Sequence, residues 1–555
     1  MNKKLRKGVF VILVLQWILF SFCKTGKIHD YPLLMQNVIF KGDLKDGKSL
    51  YLICEDVIKI TGYCFIDNNR AIVETAPFFV NSTGQITFTF KNNVYFGKIS
   101  VNRALTVIKL TLPEIVSLGM MPQTILLNYF GKIPESIDCP EYYKNPVFED
   151  IVAIKNIQYG TVQGYYTSKP IDYVSNDDYK QWFSEMFKTY KNSVITQKKK
   201  DIPLNLDIYQ PKNNIYKTPL LVFIHGGAFI FGDKENQMQH SLTDYLVKRG
   251  YTVASINYRM GSLVTEAIDR TIYRNVQDTR AALRYLVHNK EKYSIDDKQI
   301  YLAGSSAGGI IALTTAFMDK HEIPNSIREG IFRLRKDLGG LDDSGNKLKN
   351  NFTIAGVVSL WGAVSDLQII DNYIPALLFH GTEDDIVPYG KGLPFKKYMG
   401  DFIHNIATSV WQLYGSEPVY EHLKKMNIPV KYVPFYGCGH EVHVDPDGTL
   451  NTKMDTICIE TGAFLFNNVS KRYFNYNLSG KTNVKKIDTI PVYLLSNVKN
   501  AIVQWQVEGG FIKEQTNNVI HVIWYGTNKT GTVTACITNE NGASCKKTLN
   551  VKINL

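Results

Sequence analysis

The chain has 555 residues, more than one ordinary domain holds, and is expected to divide into two or three. Hydrophobic residues make up 45% and charged residues 21%, which excludes an intrinsically disordered protein. The net charge of +12 includes Lys3, Lys4, Arg6 and Lys7, which precede the first apolar run, and no basic stripe interleaved with aromatics follows. Nucleic acid is therefore set aside as a partner, and Lys198-Lys199-Lys200 reads as a solvated loop.

Residues 1–23, MNKKLRKGVFVILVLQWILFSFC, join a basic start to an apolar run of about 15 residues, the pattern of a secretory signal peptide. Ser21 and Cys23 offer small side chains for cleavage before Lys24. Two other readings stay open: a lipidated Cys23, disfavoured by the bulky Phe22, and an uncleaved anchor. No later stretch approaches 18 apolar residues, so no membrane span is expected after signal removal. The expected location is secreted or cell-envelope associated. Eight cysteines in an exported chain permit disulfides. Cys536 and Cys545 flank the turn NENGAS between two strand-like runs, which suggests a hairpin bridge, and Cys54 and Cys64 are spaced similarly. Cys438 shows no metal-ligand spacing, so neither metal nor cofactor is expected.

Residues 24–145 alternate apolar and polar side chains over short runs such as GQITFTFKNNVYFG and ALTVIKLTLP, and predict a β-rich module. From 146 to 470 the texture changes. Apolar runs (LLVFIHGG, YTVASINYR, QIYLAGSS) alternate with helical stretches (HSLTDYLVKRG, VQDTRAALRYLVHNK), which predicts an α/β domain with a mostly parallel sheet flanked by helices. Residues 485–555 return to short strands around Trp505, and suggest an immunoglobulin-like sandwich.

The chemistry centres on Gly304-Ser305-Ser306-Ala307-Gly308-Gly309. The pattern G-x-S-x-G arises by chance on the order of 0.1–0.2 times in a chain this rich in glycine, so its context decides. Here it follows a strand and opens an apolar helix, the setting in which a sharp turn lifts a serine hydroxyl into a site. Upstream, His225-Gly226-Gly227-Ala228-Phe229 ends an apolar strand, and its glycines let backbone N–H groups turn outward to hold an oxyanion. Downstream, the strand IPALLFHG runs into Gly381-Thr382-Glu383-Asp384-Asp385, and PVKYVPFY runs into Gly437-Cys438-Gly439-His440. A serine nucleophile needs a base and an acid to orient it, and the chain order Ser, Asp, His supplies both.

With these pieces the chain resembles the α/β-hydrolase superfamily, specifically secreted carboxylesterase-like members with an HGGG-type loop. The likeness spans about 200–470 and rests on LNLDIYQP, HGGAF, NYRMG, SIDDKQIYLAGSSAGG, VVSLWGAVSD, ALLFHGTEDDIVP and GCGH. It implies Ser306 as nucleophile, His440 as base, Asp384 as acid, and the N–H groups of Gly227, Ala228 and Ala307 as the oxyanion hole. Asp385 and Glu383 are alternatives for the acid, and His443 for the base. His225 is expected to orient the oxyanion loop and His380 to sit beneath the acid loop. Ala228 stands where the motif has a third glycine, and Ser305 where it usually has an acid. The tail resembles an immunoglobulin-like module of the PKD type, which leaves carbohydrate open as a partner.

The implied activity is serine carboxylic ester hydrolysis on a small-molecule or polymer-linked ester. A prolyl-oligopeptidase-like peptidase shares the triad order, but Ala307 and the HGGA loop favour the esterase. A non-catalytic adhesion protein on a hydrolase scaffold is the third reading, set against the presence of all three triad candidates. Two insertions, 316–350 and about 390–427, the second with Tyr389, Trp411 and Tyr414 nearby or within it, are expected to cap the site.

Overall fold

The structure is a computed structural model. It describes residues 38–554 except 46, 55–61, 68–69, 75–78, 81–84, 91–92, 102–106, 115–121, 133–136, 170–197, 213–216, 262–266, 329–335, 396–411, 486 and 526–529. The export segment at 1–23 thus lies outside the described residues. Among those described, no helix is long and apolar enough to cross a membrane. The chain forms two compact units. One comprises Pro140–Asn475 with Asn539–Ala543, the other Met1–Cys139, Tyr476–Thr538 and Ser544–Leu555.

The first unit is built on one eight-stranded sheet. Its strands in chain order are β1 (Ile151–Gly164), β2 (Lys200–Pro211), β3 (Thr218–Ile224), β4 (Thr252–Ile256), β5 (Ile295–Ser305), β6 (Ile354–Leu360), β7 (Ala376–Gly381) and β8 (Val430–Phe435). They lie side by side as β1-β2-β4-β3-β5-β6-β7-β8. Only β2 runs against its neighbours; every pairing from β4 to β8 is parallel. Parallel strands are covered on both faces, and β3 and β7 accordingly bury every residue, TPLLVFI and ALLFHG.

Among the described residues, this unit has five α-helices: α1 (Gln237–Val247), α2 (Ile268–His288), α3 (Ala307–Phe317), α4 (Ser416–Lys425) and α5 (Thr452–Tyr473). Asn236 caps α1 by accepting the Gln239 N–H, and Asn451 caps α5 through the Lys453 N–H. Helix α3 is buried along its whole length, in keeping with its mostly apolar sequence AGGIIALTTAF. This is an α/β-hydrolase fold with additional β-rich regions. Because the central strands are parallel, their C-terminal ends share one edge, and the loops that carry the candidate residues leave from it.

The described residues of the second unit form strands and loops. A ten-stranded antiparallel sheet takes nine strands from residues 38–132 and a tenth, Ile487–Thr489, which pairs with Arg70–Glu74. Residues 477–554 also form two four-stranded sheets, with Trp505 buried. Ile39, Tyr51 and Ile53 share a core cluster with Ile490, Phe511, Ile523 and Tyr525, so the two ends of the chain pack as one body.

The cysteine pairing differs from the expectation. Cys536 is bonded to Cys139, across 397 residues of sequence, and not to Cys545; Cys54 is a free, buried thiol. In the final hairpin Cys536 faces Lys546 while Cys545 faces Ile537, so strand alternation sends the two thiols to opposite faces. Cys64 lies opposite Tyr51 rather than Cys54.

Candidate active site

The turn from β5 into α3 places Ser306 at φ 53° and ψ −120°, in the left-handed half of backbone space. Two glycines make this turn possible. A Cβ on Gly304 would lie 2.2 Å from the Gly308 carbonyl oxygen, and one on Gly308 would lie 2.1 Å from the Ile224 carbonyl oxygen. The first turn of α3 therefore presses directly on β5 and on the end of β3. Gly308→Ala is expected to destabilise the protein by about 3 kcal/mol, because neither opposing group is a side chain that could move aside. A urea midpoint indistinguishable from the parent's would contradict this packing.

The Ser306 hydroxyl lies 2.8 Å from His440 Nε2, and His440 Nδ1 lies 2.7 Å from Asp384 Oδ2. A carboxylate only accepts, so Nδ1 carries the hydrogen and Nε2 is left to accept from Ser306. All three residues are buried. Asp384 is held at its other oxygen as well: Oδ1 accepts the N–H groups of Ile386 (2.9 Å) and Val387 (3.0 Å). The three candidates, from three separate loops, thus meet in one hydrogen-bonded chain. Asp384, rather than Glu383 or Asp385, takes the bond from His440.

Burial alone would raise the Asp384 pKa, but the neighbouring His440 and the bonds from His380 and His440 outweigh it and hold the group well below the usual carboxylate range. For His440 burial favours the neutral ring, and the charge and hydrogen bond of Asp384 reverse this, so its pKa lies above the ordinary value. The rival His443 is pulled downward, chiefly by burial. It stacks on Trp361, with ring centroids 5.2 Å apart, and its Nδ1 lies 3.5 Å from Glu441.

The loop after β3 turns through three left-handed residues, Gly227 (φ 109°), Ala228 (φ 51°) and Phe229 (φ 61°). A Cβ on Gly227 would meet the Phe231 carbonyl oxygen at 2.0 Å, so glycine is required there. His225 stacks on Tyr258, and its Nδ1 lies 2.7 Å from the Gly226 carbonyl oxygen. Burial lowers its pKa to about 4 despite that bond, which keeps it neutral near pH 7. At the start of α3 the Ser306 N–H is bound by the Leu360 carbonyl (2.8 Å), and the next amide, that of Ala307, lies in the first helical turn, where no intrahelical acceptor is available.

A cleft of about 220 Å³ opens over these groups. Phe231, Trp361, Ile386 and Phe395 line it along with Ser306, His440, Gly227 and Ala228. The sequence singled out neither Trp361 nor Phe395; the position of Trp361 directly after the strand IAGVVSL was the available signal. It also passed over Lys234, which follows the oxyanion loop and is buried with its ammonium on Asp207 (2.9 Å) and Glu235 (3.1 Å). An aspartate within the buried run LNLDIYQP marks that pair in retrospect.

The insertions behave differently from each other. In the first, Arg270 and Gln277 of α2 donate to the carbonyls of Lys336 and Leu338, and Arg280 and Arg284 hold Asp342. That segment lies along α2, and none of its described residues lines the cleft. In the second, Phe395 reaches the cleft, Tyr389 packs edge-on against His380, Tyr414 bridges to Val364, and Trp411 lies outside the described residues.

A family model described as BD-FAE matches residues 206–374. Isoprenylcysteine alpha-carbonyl methylesterase ICME of Arabidopsis thaliana is 35% identical over 113 residues, 20% of this chain and 25% of its own length. Esterase-5B of Drosophila persimilis is 30% identical over 110 residues, covering 19% and 20% of the two chains. The chain spans about a quarter of the length of such curated relatives. Among solved structures, a truncated carbohydrate esterase from gut microbiota overlaps 59% of this chain and 98% of its own, with 17% identity and a TM-score of 0.35.

Proposed function

We propose that the protein is a serine carboxylic ester hydrolase that works through an acyl-enzyme on Ser306. The observation that carries this reading is the continuous chain Ser306–His440–Asp384 at the mouth of the cleft. Ser306 Oγ attacks the ester carbonyl carbon while His440 Nε2 takes its proton. The negative oxygen so formed sits against the N–H groups of Gly227, Ala228 and Ala307. His440 then protonates the leaving alcohol oxygen as the C–O bond breaks. Water attacks the acyl carbon while giving a proton to His440; the bond from that carbon to Ser306 Oγ then breaks, His440 returns the proton to Oγ, and the acid leaves. Asp384 keeps Nδ1 protonated throughout and stabilises the imidazolium.

The test is hydrolysis of p-nitrophenyl acetate, butyrate and octanoate, with mass-spectrometric identification of the residue labelled by a fluorophosphonate. Turnover together with a single adduct on Ser306 is the expected result. Folded protein that turns over none of the esters and takes no label would overturn it.

The pH dependence follows from His440. Its neutral form is the base, and its pKa lies above the ordinary imidazole value, so kcat/KM should fall as pH drops through a limb above about 6.5. A flat profile from pH 5.5 to 8 would mean that another group is the base.

We further infer that the enzyme acts outside the cytoplasm, supported by the signal-like 1–23 and by the Cys139–Cys536 disulfide. Residues 24–145 and 485–555 would together serve as one accessory β-rich unit, the second stretch immunoglobulin-like in its strands, and a carbohydrate-linked ester is among the substrates the enzyme would take.

A further inference from the structure

Asp384 has a further N–H group beside it, that of His380, which the proposed reaction does not use. His380, the penultimate residue of β7, is completely buried, and its Nε2 lies 3.1 Å from Asp384 Oδ2 and 3.0 Å from the Val387 carbonyl oxygen. Both neighbours are acceptors, so Nε2 must carry the hydrogen. The other ring nitrogen, Nδ1, lies 2.8 Å from the hydroxyl of Ser416, the first residue of α4 and itself fully buried. The Ser416 hydroxyl has only a long alternative, the Phe379 carbonyl at 3.5 Å, so its hydrogen goes to Nδ1.

The consequence is geometric. Oδ1 of Asp384 accepts two backbone amides, and Oδ2 accepts the His440 Nδ1–H and has the His380 Nε2–H, bonded to the Val387 carbonyl, beside it at 3.1 Å. A carboxylate with two oxygens has about four acceptor directions, and here a donor group stands near each of them. Without His380, Oδ2 would be aimed only by the residue it has to orient.

We propose that His380 and Ser416 are positioning residues for the reaction at Ser306: Ser416 sets the His380 tautomer, and the His380 Nε2–H holds Asp384 Oδ2 in line with His440. This rests on the ester-hydrolase reading above. The pair acts on the chemical step and makes no contact with substrate, so its loss should lower kcat and spare KM.

The substitutions separate the two ring nitrogens. His380→Gln carries an N–H near the Nε2 position, His380→Asn reaches only the Nδ1 position, and His380→Leu has neither. With p-nitrophenyl acetate, His380→Leu and His380→Asn are expected to lose about 10–100-fold in kcat with KM within about twofold. His380→Gln should stay within about fivefold of the parent, and Ser416→Ala should lose about threefold. The downfield proton resonance of His440 Nδ1–H supplies a second reading: it should move upfield in His380→Leu and return in His380→Gln.

Asn and Gln variants that fall equally, in step with their thermal midpoints, would reduce His380 to packing and overturn the proposal. If His380→Leu does not fold, the Asn and Gln pair alone decides. The resonance is read whether or not an ester is turned over. A parent that hydrolyses nothing therefore overturns the ester-hydrolase reading, whereas a resonance that fails to move when the Nε2 donor is lost overturns the role of His380.

Discussion

Ser306→Ala is expected to lower kcat by about 10⁴–10⁶-fold on any ester the parent hydrolyses. The loss is large because, among the described residues, Ser306 supplies the one hydroxyl bonded to His440 Nε2, at 2.8 Å, and the neighbouring Ser305 ends β5. Residual turnover from the oxyanion groups and binding should still exceed the uncatalysed rate. Stability should behave independently of activity. At φ 53° any side chain is strained, so Ser306→Gly should be more stable than Ser306→Ala by about 1 kcal/mol while remaining equally inactive. Activity in Ser306→Ala within tenfold of the parent would rule out the serine as nucleophile. A glycine variant no more stable than the alanine one would remove the strained elbow.

Asp384→Asn is expected to cost about 10³–10⁴-fold in kcat, for a reason specific to this loop. The Ile386 and Val387 amides both donate to Oδ1, so the asparagine must place its carbonyl oxygen there. Its NH₂ group then takes the Oδ2 position and faces His440 Nδ1, which it can satisfy only by donating. The ring is driven to the Nε2–H tautomer, which cannot accept the Ser306 proton. With the carboxylate charge gone, the His440 pKa should also fall, moving the acid limb of the residual activity to lower pH. Asp385→Asn and Glu383→Gln serve as comparisons. If either lost more than Asp384→Asn, the acid would lie elsewhere on the loop.

The motifs were legible in the sequence because each is a local demand on the backbone. Gly304 and Gly308 flank Ser306 at the spacing where any Cβ would strike main chain, and that constraint is written in consecutive residues. The buried runs TPLLVFI and ALLFHG likewise announce strands covered on both faces. The disulfide was not legible. The Cys536–Cys545 expectation rested on proximity in sequence, while the actual partner, Cys139, is 397 residues away. The first insertion misled for a similar reason, since its amphipathic and Gly/Asp-rich sequence does not reveal that α2 holds it with Arg270, Tyr273, Gln277, Arg280 and Arg284.

What the sequence determined by itself was the α/β texture, the strained serine turn, the glycine-rich loop and the candidate set Ser306, Asp384 and His440, because periodicity and steric exclusion act over a few residues. The tertiary structure decided which of three adjacent acids faces His440, that Trp361 and Phe395 wall the cleft, and that His380 and Ser416 stand behind Asp384. It also decided that the two chain ends share one core. These depend on where separate loops converge at a common sheet edge, and hydrogen bonds between residues 56 and 134 positions apart leave no periodic trace in the chain.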